Sequence, residues 1–266
     1  MAARWVHPVA AAGFSSTADL YERVRPSYPG EAIGWLADRA RLVPGTTVVD
    51  VGAGTGKLTR LLIATGARVV AVEPLAEMRA ALSAAVPGAD VVEGTAEELP
   101  LPDGVADVVT CAQAFHWFAL DQALPELHRV LAPDGLLVLI WNTRDLEDPL
   151  QDAIEDLVSP FRATVASQRH DAWRPPLEAS PLFGTIEQRS FRNDQLVSVD
   201  DVVERVASTS FVAVLAEDER AALLGRVRAL VAHHERPFSF PYRTDVYVLP
   251  RSRDQGAGPG GTPNEG

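Results

Sequence analysis

Val48-Val49-Asp50-Val51-Gly52-Ala53-Gly54-Thr55-Gly56-Lys57 runs a β-rich apolar stretch into three glycines at alternate positions. The spacing predicts a strand, a tight turn and then the start of a helix. Glycine permits that turn and lets another molecule approach the backbone, and a helix start offers unpaired N–H groups that attract negative charge. Two well-known glycine loops fit badly. A phosphate-cradling P-loop needs glycine where Val51 stands and Ser or Thr where Leu58 stands. The dinucleotide fingerprint needs its third glycine where Lys57 stands, one place beyond Gly56, which weakens that reading without removing it.

Outward from this turn, short β-rich runs alternate with helical patterns. Strands are expected at Thr47 to Val51, Arg68 to Val72, Ala89 to Val92, Ala106 to Cys111 and Gly135 to Trp141, with helices at about Lys57 to Thr65, Leu75 to Ala85 and Leu120 to Leu131. Such alternation predicts a parallel sheet, and the nearly continuous apolar strands predict helices on both faces. Before it, Asp19 to Val24 and Glu31 to Arg41 have helical spacing, separated by Pro26 and Pro29. After Asn142, helices are expected at Leu150 to Ser167, Asp200 to Ser208 and Asp218 to His233, with late β-like runs at Thr185 to Phe191 and Thr244 to Leu249. The fold class is therefore α/β, a doubly wound, Rossmann-like, seven-stranded and mostly parallel sheet with a helical entry lid and a helical insertion near the C-terminus. The expected division is N-terminal lid helices over 1–45, a nucleotide-binding core over 46–145, a helical pocket segment with the final strands over 146–250, and a Gly- and Pro-rich disordered tail over 251–266.

The second strand ends in Val72-Glu73-Pro74, twenty-one residues past Gly52. A carboxylate at that strand terminus can accept both ribose hydroxyls of an adenosine; a solvated loop acid is the plain alternative. Three further segments follow in order: Glu93-Gly94-Thr95-Ala96-Glu97-Glu98-Leu99-Pro100, Ala106 to Phe118, and Leu127-His128-Arg129-Val130-Leu131-Ala132-Pro133-Asp134-Gly135. Together with Asp50-x-Gly52-x-Gly54-x-Gly56, they resemble the class I S-adenosylmethionine-dependent methyltransferases over roughly residues 14 to 145. Within that superfamily the chain is similar to small-molecule enzymes of the ubiquinone-biosynthesis and trans-aconitate types, because Tyr21-x-x-x-Arg25-Pro26-x-Tyr28-Pro29 resembles their cofactor-lidding entry segment.

The resemblance implies S-adenosylmethionine as cofactor, held by Tyr21, Arg25, Asp50, Gly52, Ala53, Gly54, Gly56, Glu73, Pro74 and Met78. It further implies Thr95, Ala96 and Glu97 at the adenine, with Thr95 standing where many relatives have Asp, and Ala112 and Gln113 facing the methionine moiety. Tyr28, Trp117, Asn142 and Arg144 are expected at the acceptor, Arg144 being suited to a carboxylate through a bidentate pair or to an ordinary ion pair. His116, just after the fourth strand, is the candidate general base, because open α/β sheets bind ligands at the carboxyl ends of their strands; local ordering of the loop beside Trp117 is the alternative. Phe161, Trp173, Phe183 and Phe211 are expected to line an apolar acceptor pocket or to belong to the core. His128 is expected to be structural.

Composition narrows the partners. The chain has 266 residues, 24 basic and 36 acidic, and a formal charge of −12, so it lacks the basic surface that holds a phosphate backbone and nucleic acid is not expected as a partner. Its longest obvious apolar run, Leu136 to Trp141, is far short of the roughly 20 residues that span a bilayer, and His7 and Pro8 interrupt anything resembling a signal peptide; no membrane association is expected. Cys111 is the single cysteine, which fits a reducing compartment and a cytoplasmic location. With scattered histidines, no metal is expected. The remaining partner is a small-molecule methyl acceptor. Two other classes stay open at this level: an NAD(P)-binding oxidoreductase, and a non-catalytic module that retains the fold and the cofactor.

Overall fold

The computed structural model describes residues 24–162 and 172–253. Seven strands form one sheet in the order β3-β2-β1-β4-β5-β7-β6. Strands β1 (Thr47–Val51), β2 (Arg68–Val72), β3 (Asp90–Val92), β4 (Ala106–Ala112) and β5 (Leu131–Arg144) are mutually parallel, whereas β7 (Phe238–Pro250) inserts antiparallel between β5 and β6 (Glu187–Val197). The strand order reverses between β1 and β4, and it is at such a switch point that open α/β sheets open a crevice.

Both faces of the sheet are covered. Helix α1 (Gly30–Ala40) lays Ala32, Leu36 and Ala40 against Val48, Val69, Val138, Ile140 and Val248 on one face, with α2 (Thr59–Ile63) contributing Leu62. The helix expected over Glu31 to Arg41 is thus a layer of the sheet, and the cavity is reached instead by Arg25, Pro26 and Tyr28 just before it. The other face carries Val49, Val109, Leu137 and Leu139 against Leu124, Leu127 and Val130 of α4 (Leu120–Val130). Helix α3 (Ala76–Ala85) sets Leu82 and Val86 against Ala71. Cys111 is fully buried in β4 within this core.

A second hydrophobic cluster stands apart from the sheet layers. Helices α5 (Pro149–Arg162), α7 (Val199–Ala207), α8 (Ser210–Ala213) and α9 (Glu217–Val231) form a cap, and Ile154, Val202, Val206, Phe211, Leu223 and Val227 pack with Val197, Phe240 and Tyr242 at the ends of β6 and β7. Ser198 caps α7 by accepting the Asp201 N–H, while the Asp201 carboxylate accepts the Ser198 N–H, a reciprocal capping box. The late strands are longer than the β-like runs in the sequence, because their outer halves form an antiparallel ladder running from Glu187/Val248 to Val197/Phe238 that carries the cap. Helix α6 (Arg174–Glu178), unanticipated, buries Leu177 in the main core. Of the expected helix from Leu150 to Ser167, the part beyond 162 lies outside the described residues.

Arg251 to Arg253, assigned above to a tail, are partly tied down. Arg251 donates its backbone N–H to Gly135 and its Nε to the His128 carbonyl, and the Ser252 N–H reaches Leu182. The rest of that stretch lies outside the described residues.

Candidate active site

The glycine turn follows β1 with Gly52 at φ +70° and Gly54 at φ +58°. A Cβ on Gly52 would sit 2.7 Å from the Ala114 Cβ, so the loop after β4 closes directly over this glycine; a Cβ on Gly54 would meet no atom of the described residues within 4 Å. Gly54 is therefore the point where the backbone is bare. Gly56 serves a different purpose, packing its turn against Leu82 and Val86 of α3.

Two buried carboxylates hold the turn. Asp50 is 1% exposed and accepts the hydroxyls of Thr59 (2.7 Å) and Thr110 (2.8 Å), one on each oxygen. Burial pushes its carboxyl up to about 6, against the pull of the two hydroxyls. Asp50 was expected at the cofactor. In the structure it lies beneath the turn, off the cavity lining, and joins β1 to β4 and α2 through those two hydroxyls. Glu73, at the end of β2, accepts the Gly54 N–H on Oε2 (2.9 Å) and the Leu75 N–H on Oε1 (3.0 Å). Its carboxyl is raised by burial, opposed by those two backbone donors. Each oxygen retains a lone pair for another donor.

Beyond the glycine turn lies a cavity of about 310 Å³ at the carboxyl ends of β1, β4 and β5, roofed by the cap. Of the residues anticipated from sequence, it brings together Arg25, Tyr28, Gly52, Ala53, Gly54, Ala112, Gln113, His116, Trp117, Asn142 and Arg144. Gln113 adopts the left-handed region, φ +58°, which is uncommon for a residue other than glycine and concentrates at functional sites; its side chain donates to the Asn142 carbonyl at 3.1 Å. His116 lies in a short 3-10 turn, Phe115–Trp117, its ring 4.9 Å from that of Trp117.

Other anticipated residues stand off the cavity. Glu73 and Pro74 lie on the far side of the Gly54 amide, and Met78 is buried on α3. Thr95 is buried and bridged to Glu98, Ala96 is packed in the main core, and Glu97 accepts the Ala119 N–H at 2.8 Å, tying the loop after β3 to the start of α4. Tyr21 lies outside the described residues. Among the proposed pocket aromatics, Trp173 and Phe211 line the cavity, whereas Phe183 packs beside the His128 ring and Phe161 joins the cap cluster; the core half of that alternative holds for the latter two. His128 is buried, with Nε2 3.2 Å from the Ser252 carbonyl, a structural position.

Several lining residues were not anticipated. Trp141 stacks on Trp173 (4.6 Å, 18°), and Tyr247 meets both edge-on. Arg205 of α7, Thr209 and Tyr242 join the anticipated Phe211 on the cap side. Arg144 Nε lies 3.7 Å from Glu155. The segment before α1 is pinned by polar contacts: Asn142 Nδ2 donates to the Pro26 and Ser27 carbonyls, and Asn193 donates to Ser27 (2.8 Å) and to Asn142 Oδ1 (3.0 Å). None of these partners is periodic in the sequence, and only the run of aromatics gave a signal. Among the described residues no group of three or more His, Cys, Asp or Glu is placed to hold a metal, and no helix is long and apolar enough to cross a membrane.

Residues 49–139 match the family described as a methyltransferase domain. The chain is 38% identical over 221 residues to the uncharacterized methyltransferase Rv3342 of Mycobacterium tuberculosis, covering 83% of this chain and 86% of the relative. It is 35% identical over 203 residues to the uncharacterized methyltransferase C25B8.09 of Schizosaccharomyces pombe, covering 75% and 79%. A solved chain from Anaeromyxobacter dehalogenans overlays with a TM-score of 0.62 at 24% identity, covering 84% of this chain and 97% of that one, and shares the fold.

Proposed function

We propose that this chain, which belongs to the class I S-adenosylmethionine-dependent methyltransferase family, binds S-adenosylmethionine at its glycine turn and transfers the methyl group to an O, N or C nucleophile of a small molecule. The observation that supports the reading is the hydrogen bond from the Gly54 N–H to Glu73, which ties a buried carboxylate at the end of β2 to the glycine turn that lines the cavity. The residues fit the cofactor. Glu73 would hold the ribose hydroxyls, Gly52 to Gly54 would lie along the nucleoside, Met78 and the loop Thr95 to Glu97 would border the adenine, and Arg25 with Gln113 would receive the amino acid end. When bound, the cofactor supplies an electrophilic methyl on a sulfonium.

The protein's own contribution is placement. Orientation of two reactants supplies roughly 7 to 11 kcal/mol of such a barrier, and the Trp141–Trp173 stack with Tyr247 gives an acceptor a flat apolar bed. His116 borders the same cavity and takes the acceptor's proton where the nucleophile carries one, a contribution of typically 100- to 10,000-fold. The sole cysteine supports a reducing, cytoplasmic setting.

The test is ligand-induced stabilisation followed by turnover. S-adenosylmethionine and S-adenosylhomocysteine should each raise the melting temperature while NAD does not, since a ligand bound only by the folded state stabilises it. Methyl-labelled cofactor with a panel of phenols, acids and amines should label at least one product. Stabilisation by NAD alone would overturn the assignment; cofactor binding without any labelled product would leave a binding module.

A further inference from the structure

Arg205 sits on α7 with 6% of its surface exposed, and it lines the cavity. Its Nε donates to the Val24 carbonyl at 2.5 Å, and its guanidinium lies 5.3 Å from the Tyr242 ring centroid and 5.7 Å from that of Phe240. Nη1 is buried and has no hydrogen-bond partner. The two rings neighbour the guanidinium without satisfying that nitrogen. Buried polar atoms are almost always paired, and an orphan on a charged group is the costliest kind. Its cost is removed when an anion enters, because guanidinium and carboxylate match in geometry and charge.

The acids near the cavity do not fill this role. Asp245 already accepts Ser190 at 2.6 Å and Arg243 at 2.9 Å on one oxygen and Thr143 at 3.1 Å on the other, and Glu155 lies beside Arg144. Among the described residues the cavity is lined by four cations, Arg25, Lys57, Arg144 and Arg205, against those two acids, in a chain whose formal charge is −12. We infer that Arg205 is the anchor for a carboxylate on the methyl acceptor, so that the substrate class is an organic acid with a flat apolar body resting on Trp141, Trp173 and Tyr247. This rests on the methyltransferase reading above. A carboxylate could come from the acceptor or from the amino acid end of the cofactor. The acceptor is favoured because Arg205 belongs to the cap, packed with Phe240 and Tyr242 of the cap cluster, whereas the glycine turn belongs to the sheet. The paired carboxylate is a handle; the methylated atom lies elsewhere on the acceptor.

The experiment is calorimetric titration of the full chain saturated with S-adenosylhomocysteine, using benzoate, phenylacetate and indole-3-acetate, each against its neutral amide. At least one acid should bind tenfold or more tighter than its amide, and Arg205→Gln should bring that ratio below threefold while leaving S-adenosylhomocysteine affinity within threefold. If Arg205→Gln does not fold, Arg205→Lys takes its place, with the ratio expected to fall about fivefold. Equal binding of acids and amides by the unaltered chain overturns the inference, as does failure of every acid to bind. So does a variant that loses affinity for S-adenosylhomocysteine but not for 5′-methylthioadenosine, which lacks the carboxylate. A chain that binds no S-adenosylhomocysteine at all sinks the parent reading instead.

Discussion

The Oε2 of Glu73 and the backbone N–H of Gly54 stand 2.9 Å apart, so the end of β2 and the turn after β1 form one unit through a single charge-assisted bond. On the proposed reading ribose recognition and loop shape are coupled: the carboxylate that would take two hydroxyls also holds the amide that fixes where the backbone lies.

Glu73→Gln is accordingly expected to weaken S-adenosylhomocysteine binding by about 10- to 100-fold, the equivalent of one hydrogen bond to a charged group. The fold should survive, since the amide oxygen can still accept one backbone N–H. Calorimetric titration decides the matter, and an unchanged affinity would remove Glu73 from the ribose site.

Gly52 and Gly54 should respond differently to the same methyl group. At Gly52 the added carbon meets the Ala114 Cβ at 2.7 Å in a left-handed backbone, so left-handed strain and overpacking together predict a loss of about 2 to 4 kcal/mol in urea unfolding. Gly54→Ala, with open space around it, should cost only about 1 kcal/mol yet lower cofactor affinity, because its methyl occupies the bare surface. Equal stability losses would contradict this account of the turn.

Asp50 makes stability depend on pH in a direction opposite to ordinary surface acids. Its carboxyl is at about 6 in the folded chain against 3.8 as the unperturbed value. The associated stability is fully present below pH 4 and is lost as pH rises through 6, by on the order of 3 kcal/mol. Asp50→Asn lacks this titration, so its urea midpoint should gain on that of the unaltered chain between pH 4 and pH 7.5. Parallel curves for the two proteins would show that the buried carboxyl does not titrate there.

His116→Asn should slow turnover of a protic acceptor by about 100-fold or more, with S-adenosylhomocysteine affinity unchanged. An acceptor that needs no deprotonation should be little affected. If both acceptors slow equally, His116 orders the loop beside Trp117.

The parallel half of the sheet was legible because its signals are local: apolar runs at Val48 to Val51 and Val69 to Val72, punctuated by glycine and proline, fix strand, turn and helix within a few residues of each other. β6 was only half visible. Its sequence Glu187 to Val197 alternates polar residues with a few buried ones, and as an edge strand it leaves Glu187, Arg189 and Arg192 outward, so hydrophobicity alone marks no strand. The site divides in the same way. Gly52, Gly54 and Glu73 follow from spacing along one βαβ unit, whereas Arg205 and Tyr242 reach the cavity only because the β6–β7 ladder carries the cap over it. At Asp50, likewise, spacing identifies the strand position but not that Thr59 and Thr110 donate one to each of its oxygens.

Cys111 is the chain's single thiol, it is fully buried in β4, and burial together with Asp50 pushes it well above its usual range. A maleimide dye should thus leave the native molecule unlabelled and mark only those copies whose central strand has come apart. The protein carries its own stopwatch for global opening, readable without adding or removing a residue.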